Sequence, residues 1–138
     1  MSSKKILVYT IPVLVIGLIA WAVHLYNKPE KSIATEKGYP LTAEELYQKF
    51  SSDEREANRL YLNKVLQVTG DVLEMKHNQQ GEDVIVLRSE DPLFGTTCTL
   101  AAALPSYKKV KPGDRVVIKG ICTGYLTDVV LVRGLVIE

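Results

Sequence analysis

Residues 113–137, GDRVVIKGICTGYLTDVVLVRGLVI, contain two stretches rich in β-branched residues on either side of a short polar turn. Valine and isoleucine favour the pleated, half-buried surface of a β-strand, and Gly and Asp favour tight turns. The segment therefore predicts a strand over Arg115–Thr123, a turn over Gly124–Asp128 and a strand over Val129–Ile137.

Three more strands are predicted upstream. From Lys64 the pattern acquires a period of two, with Leu66, Val68 and Val72 on one side. Strands are also predicted over Asp83–Arg88 and Thr96–Ala102, followed by a short helical connection over Leu104–Val110. Five strands with an extra connection between the third and the fourth are typical of an OB-type barrel, whereas a β-sandwich normally needs more strands.

Three segments carry a resemblance to a known family: YLNKVLQVTGDV (61–72), TTCTL (96–100) and GDRVVIKGICTGYLTDVVL (113–131). They resemble the bacterial tRNA-anticodon-like OB-fold family, over roughly Leu46 to Ile137. The resemblance implies a small OB domain, often behind a membrane anchor or a lipoprotein signal, and implies no agreed activity. Because no cysteine lies near the apolar N-terminal segment, this chain departs from the lipoprotein variety, and the helix itself is expected to be the anchor.

The N-terminal 27 residues differ in composition from the rest of the chain. Ile6 to Tyr26 is an uninterrupted run of 21 uncharged residues after Lys4 and Lys5. As a helix it would extend roughly 31 Å, which matches the hydrocarbon core of a bilayer. We expect a single transmembrane helix within residues 1–27. The alternative is a cleaved secretory signal, since Ala20-Trp21-Ala22 matches a small-x-small cleavage pattern.

The distribution of basic residues does not by itself give the orientation of this helix in the membrane, because such residues lie on both sides of the apolar run. A short basic head before an apolar run is typical of a signal anchor, which carries the following domain across the membrane. We expect a single-pass protein of the bacterial inner membrane with its C-terminal domain on the extracytoplasmic side. Residues 28–41 are polar, contain Pro29, Gly38 and Pro40, and are predicted to be a linker.

A helical segment is predicted over residues 42–60, before a barrel over 61–138. Thr42 and Glu45 have the spacing of a capping box, in which each side chain satisfies a backbone amide at the helix start. The same spacing recurs from Ser51 to Glu54 and predicts a break there. An apolar stripe at helical spacing is expected to pack on the barrel; its members are Leu46, Phe50, Ala57 and Tyr61.

The two cysteines, Cys98 and Cys122, share strand parity with apolar neighbours and are expected to point inward. Two interpretations remain open. They are either buried free thiols or a disulfide across the barrel, which an oxidising compartment would favour. No CxxC pair and no four-ligand zinc spacing is present, so a structural zinc site is not predicted.

No residue pattern indicates catalysis. His77 is the only histidine outside the apolar run and lies in a polar turn, and no motif sets a base beside a nucleophile. Glu82 and Asp83 would point to opposite faces of a strand, so a metal site with His77 is not predicted. We therefore expect no enzyme activity, no metal and no cofactor.

Binding is the remaining class of function. OB barrels commonly bind between the loops that join strands one to two and four to five. In this chain those loops supply the candidate contacts His77, Asn78, Gln79, Tyr125, Thr127 and Asp128. From Lys28 onward 15 Lys and Arg face 16 Asp and Glu, and the predicted strands contain no aromatic residue. We therefore expect a protein or glycan partner in the cell envelope. Single-stranded nucleic acid is the alternative. It is the less favoured one, because its binding sites need aromatic platforms and positive charge.

Overall fold

A computed structural model describes residues 3–27, 32–101 and 109–137. The chain forms two compact units, residues 1–31 and 32–138. The first unit contains helix α1 (Ser3–Tyr26), which includes Pro12. Within the described residues, none of the helices combines the length and the apolarity that crossing a bilayer requires.

The described part of the second unit, residues 32–101 and 109–137, contains six strands and two short helices. In chain order these are β1 (Tyr39–Thr42), α2 (Ala43–Ser52), α3 (Glu54–Tyr61), β2 (Val65–His77), β3 (Asp83–Arg88), β4 (Gly95–Leu100), β5 (Arg115–Tyr125) and β6 (Val129–Val136).

Strands β2 to β6 form a closed barrel in the order β2–β3–β4–β6–β5, and β5 returns to β2. Strand β2 is long enough to pair twice: residues 65–71 pair with β5, and residues 72–77 pair with β3. Strands β4 and β6 are parallel, and the other neighbours in the barrel are antiparallel. The predicted five-stranded barrel is confirmed, and the interval Asp83–Arg88 is the same in sequence and structure.

The helices begin where the side chains can satisfy their exposed amides. The capping box at Thr42 is formed: Glu45 N donates to the Thr42 hydroxyl at 3.1 Å, and Thr42 N donates to the Glu45 carboxylate at 3.0 Å. The break predicted near Ser51 lies two residues later. Asp53 caps α3 by accepting a hydrogen bond from Glu56 N at 3.0 Å, whereas the Ser51 hydroxyl donates back to the carbonyl of Gln48.

The predicted apolar stripe of the two helices lies in the core. Leu46, Phe50, Ala57 and Tyr61 are all buried and belong to one cluster with the inward side chains of the strands. Gly70 is buried as well, and a Cβ atom there would lie 2.9 Å from the Cβ of Ala43. The missing side chain at Gly70 therefore lets the first turn of α2 approach β2 closely.

Part of the predicted linker is built into the barrel unit. Ile33 is buried, and the Lys119 ammonium donates to the carbonyls of Ala34 and Glu36 at 3.3 and 3.0 Å. Strand β1 then pairs in parallel with residues 66–69 of β2. The sequence pattern did not predict this strand, because four residues with Pro40 among them carry no period.

The two cysteines point inward as expected and are fully buried, but both are free thiols. The disulfide interpretation is therefore not supported. Cys98 on β4 and Cys122 on β5 are both in register with Leu131 on β6, which lies between them. Two strand spacings amount to roughly 10 Å, beyond the separation that a disulfide can bridge. The connection predicted over Leu104–Val110 falls largely on residues 102–108, outside the described residues.

Candidate binding surface

The outer face of β3 and β4 is the surface on which OB barrels commonly bind. Its outward register positions hold β-branched residues: Val84 and Val86 on β3 lie beside Thr99 and Thr97 on β4. Both valines are only 6% exposed and the threonines are half-buried, while Ile85 and Cys98 belong to the core cluster, so β3 is buried on both of its faces. The middle of this face therefore offers neither an aromatic ring for stacking nor a cation.

The basic residue at the end of β3 is matched by acidic neighbours. Arg88 lines a small polar depression together with Glu44, Asp71 and Arg115. The Arg115 guanidinium lies 3.5 Å from the Asp71 carboxylate. With two carboxylates beside two guanidinium groups, this depression has no strong positive potential.

The candidate contacts in the β2–β3 loop are largely engaged within the loop. His77 Nδ1 lies 2.7 Å from the Asp83 carboxylate, although the histidine side chain remains mostly exposed. The Asn78 side-chain oxygen accepts hydrogen bonds from the amides of Gln80 and Glu82, and its amide group donates to the Glu82 carboxylate at 2.7 Å. Asn78 therefore shapes the turn, whereas Gln79 is exposed and unconstrained by these bonds.

The candidate contacts in the β5–β6 loop have mixed roles. The Asp128 carboxylate accepts a hydrogen bond from Gly95 N at 2.7 Å, so it ties this loop to the start of β4. Thr127 is exposed. Tyr125 is half-buried, and its ring stacks on Phe50 at a centroid distance of 5.7 Å. Of these three residues, Thr127 alone has the exposure of a surface contact.

The structure does not bring the two candidate loops together. Residues 65–71 at the start of β2 pair with β5, which leads into the β5–β6 loop. The other end of β2 leads into the β2–β3 loop. The 13 residues of β2 have a contour of roughly 40 Å, so His77 and Tyr125 lie near opposite ends of the barrel.

Tyr125 belongs to a chain of five rings between the helices and the strands. The contacts run from Tyr39 to Tyr61, Phe50, Tyr125 and Tyr47, at centroid distances of 5.8, 6.2, 5.7 and 6.1 Å. Burial, and then hydrogen bonding with Tyr125, raise the pKa of Tyr47 to about 12. Negative charge on Asp91 and Asp128 contributes in the same direction.

The β3–β4 loop was not among the contact loops expected from the sequence. It lies at the same end as the β5–β6 loop, since Gly95 at its end is bonded to Asp128. Leu93 and Phe94 in this loop are exposed. The sequence feature that could have indicated a contact surface here is the pair of large apolar residues after Asp91-Pro92, in a turn where polar residues are usual.

Reactive chemistry has little support in the described residues. Burial raises the pKa of the Cys98 thiol to about 12 and also raises the pKa of Cys122, so neither is a thiolate at neutral pH. Across the described part of the chain, no group of three or more His, Cys, Asp or Glu is placed to hold a metal ion.

Comparison with known proteins agrees with this architecture. The profile of the tRNA_anti-like family matches residues 1–136. The chain belongs to this family. No curated protein has significant sequence similarity to it.

Two solved structures are similar to this chain at low sequence identity. One is a candidate nucleic acid-binding lipoprotein from Klebsiella pneumoniae subsp. pneumoniae MGH 78578. It is 16% identical, with a TM-score of 0.60 over 80% of this chain and 100% of that chain. The yeast Stn1 and Ten1 structure is 17% identical, with a TM-score of 0.45 over 75% of this chain and 65% of the matched chain.

Proposed function

We propose that this family member is a non-catalytic binding module of the cell envelope, tethered to the membrane by its N-terminal helix. One observation carries the choice of partner: the face of β3 and β4 has buried valines and half-buried threonines where a single-stranded nucleic-acid site needs exposed aromatic rings and cations. The partner is a protein or a glycan. Of the loop contacts expected from the sequence, His77, Gln79 and Thr127 keep exposed side chains.

Charge also argues against nucleic acid as the partner. With 15 basic and 16 acidic residues from Lys28 onward, this part of the chain is close to neutral. Binding to phosphate backbones depends on clustered Lys and Arg. In the described residues, Arg88 and Arg115 lie beside carboxylates and provide no such cluster.

Single-stranded nucleic acid remains the second candidate. It is supported by the OB-like fold of the tRNA_anti-like family and by the name of the similar Klebsiella protein. Fold alone does not imply function, and at 16% identity the likeness concerns the fold.

The tether rests on the sequence from Ile6 to Tyr26, which is uncharged throughout. In the proposed topology the barrel lies on the extracytoplasmic side. Reporter fusions after Glu138 test this: activity of a periplasmic reporter is expected. Activity of a cytoplasmic reporter alone would reverse the topology, and a soluble form beginning near Val23 would indicate cleavage.

The choice of partner is tested by titrating the full chain in neutral nanodiscs with single-stranded DNA and RNA at low and moderate salt. We expect no binding in the micromolar range. Micromolar binding with a steep salt dependence would favour the second candidate, because counterion release makes phosphate contacts sensitive to salt.

A further inference from the structure

Three large apolar side chains are exposed at one end of the barrel. Leu93 and Phe94 in the β3–β4 loop are 78% and 37% exposed, and Leu126 in the β5–β6 loop is 85% exposed. We call these three residues the tip cluster. Single exposed leucines are common on protein surfaces, but three on two neighbouring loops form a patch.

The two loops are held in place by hydrogen bonds. The Asp91 carboxylate accepts from the amides of Leu93 and Phe94 at 2.8 and 3.2 Å, and the buried Ser89 hydroxyl donates to the Phe94 carbonyl. The bond from Gly95 N to Asp128 joins the loops to each other. Binding through such a surface costs little ordering entropy, because the loops are already fixed.

The apolar surface continues from Leu126 into a groove between α3 and the β5–β6 hairpin. Leu62 and Val130 line this groove together with Glu54 and Asn58. The Asn58 side-chain oxygen is buried and has no hydrogen-bond partner among the described residues. A ligand that supplies an N–H donor would satisfy it.

The charges within the two loops of the tip cluster have one sign, and the exposed Arg88, opposite Gly95 at the base of the β3–β4 loop, lies just outside them. The two loops, residues 89–94 and 126–128, contain Glu90, Asp91 and Asp128 and no Lys, Arg or His. Glu54 adds a fourth carboxylate at the groove. After burial and Tyr125, the carboxylates of Asp91 and Asp128 also contribute to the raised pKa of Tyr47.

We propose that the tip cluster and the adjoining groove bind a protein segment that combines apolar side chains with Lys or Arg. This inference rests on the proposed binding function and deepens it. The acidic surroundings disfavour nucleic acid, the headgroups of anionic lipids and a second copy of the same surface, since each would set like charges against each other. A basic protein segment places cations beside the carboxylates and apolar side chains against the tip cluster. It also supplies an N–H donor to the unpaired Asn58 oxygen.

The test uses random 12-residue peptides displayed on phage, selected against the full chain in neutral nanodiscs after removal of binders to empty discs. We expect enriched peptides to combine Leu, Ile or Phe with Lys or Arg. Synthetic copies are then titrated against variants Leu126→Ser and Glu90→Lys, each expected to weaken binding by about tenfold or more. Ile137→Ser and Glu74→Lys are matched controls outside the two loops and should change affinity less than about twofold.

The outcomes separate the docking surface from the general function. Enriched peptides that lack basic residues, or that bind both tip variants like the parent chain, would overturn the docking surface and leave a protein-binding module standing. Failure to enrich any peptide would also count against the docking surface. If no peptide is enriched and single-stranded DNA binds with a steep salt dependence, the docking surface and the proposed function both fail.

Discussion

The Tyr125 ring is predicted to stabilise the folded barrel rather than to serve as a ligand contact. Replacing Tyr125 by Ala removes the contacts with Phe50 and Tyr47, at 5.7 and 6.1 Å between centroids. Truncating a fully buried aromatic residue costs about 3–5 kcal/mol. Because Tyr125 is only half-buried, we expect Tyr125→Ala to lower the free energy of unfolding by roughly 2–3 kcal/mol.

A second substitution separates the ring from its hydroxyl. Tyr125→Phe keeps both ring contacts and removes the hydroxyl through which Tyr125 helps to raise the pKa of Tyr47, so we expect a loss of about 0.5–1.5 kcal/mol. Tyr39→Ala is the matched control, because Tyr39 is 58% exposed and makes one edge contact with Tyr61. We expect that control to cost about 1 kcal/mol or less.

The assay is unfolding of the full chain in guanidinium chloride, followed by near-ultraviolet circular dichroism of the tyrosines. A loss below about 0.5 kcal/mol for Tyr125→Ala, equal to that of the Tyr39 control, would refute the packing role. Tyr125 would then become a candidate surface contact. Loss of partner binding by Tyr125→Ala is informative only when Tyr125→Phe binds normally and the alanine variant is still folded.

Three further predictions concern the same barrel. A Cβ at residue 134 would clash with Cys98 Sγ, so Gly134→Ala should lower the free energy of unfolding by about 1–3 kcal/mol. In the double variant, Cys98→Ala should recover part of that loss, and simple additivity of the two effects would contradict the clash. Asp128→Ala should cost about 1–3 kcal/mol by leaving Gly95 N unpaired, whereas Asp128→Asn retains an acceptor and should cost less. The free energy of unfolding should fall as pH rises from 9 to 12, because folded Cys98 and Tyr47 keep their protons longer than the unfolded chain; in Cys98→Ala this fall should begin at higher pH.

The barrel could be predicted because its sequence signals are local. Each strand carries its own alternation of apolar and polar residues, and each turn carries Gly, Asp or Pro at the required place. The capping box of Thr42 and Glu45 is equally local, since both partners lie within one helical turn. The strand over Asp83–Arg88 has the predicted limits for this reason.

The parts that sequence reasoning missed depend on pairs that are distant along the chain. Strand β1 is stabilised by its pairing with β2, and the segment before it is fastened by Lys119, more than 80 residues later. No local pattern indicates such contacts. The sequence left free thiols and a disulfide open for Cys98 and Cys122, because strand parity alone does not reveal that Leu131 lies between them in the sheet.

The candidate site shows the same limit and its consequence for function. Loop position predicted Tyr125 and Asp128 as contacts, but the partners that engage them, Phe50 and Gly95, come from α2 and β4. The hydrogen bond between Asp128 and Gly95 joins the two loops that expose Leu93 and Leu126. Among the expected polar contacts, Asn78 and Asp128 therefore shape their loops. The exposed Leu93 and Leu126, which a search for polar contacts passes over, are the side chains that the proposed docking surface adds to the exposed polar contacts of the loops.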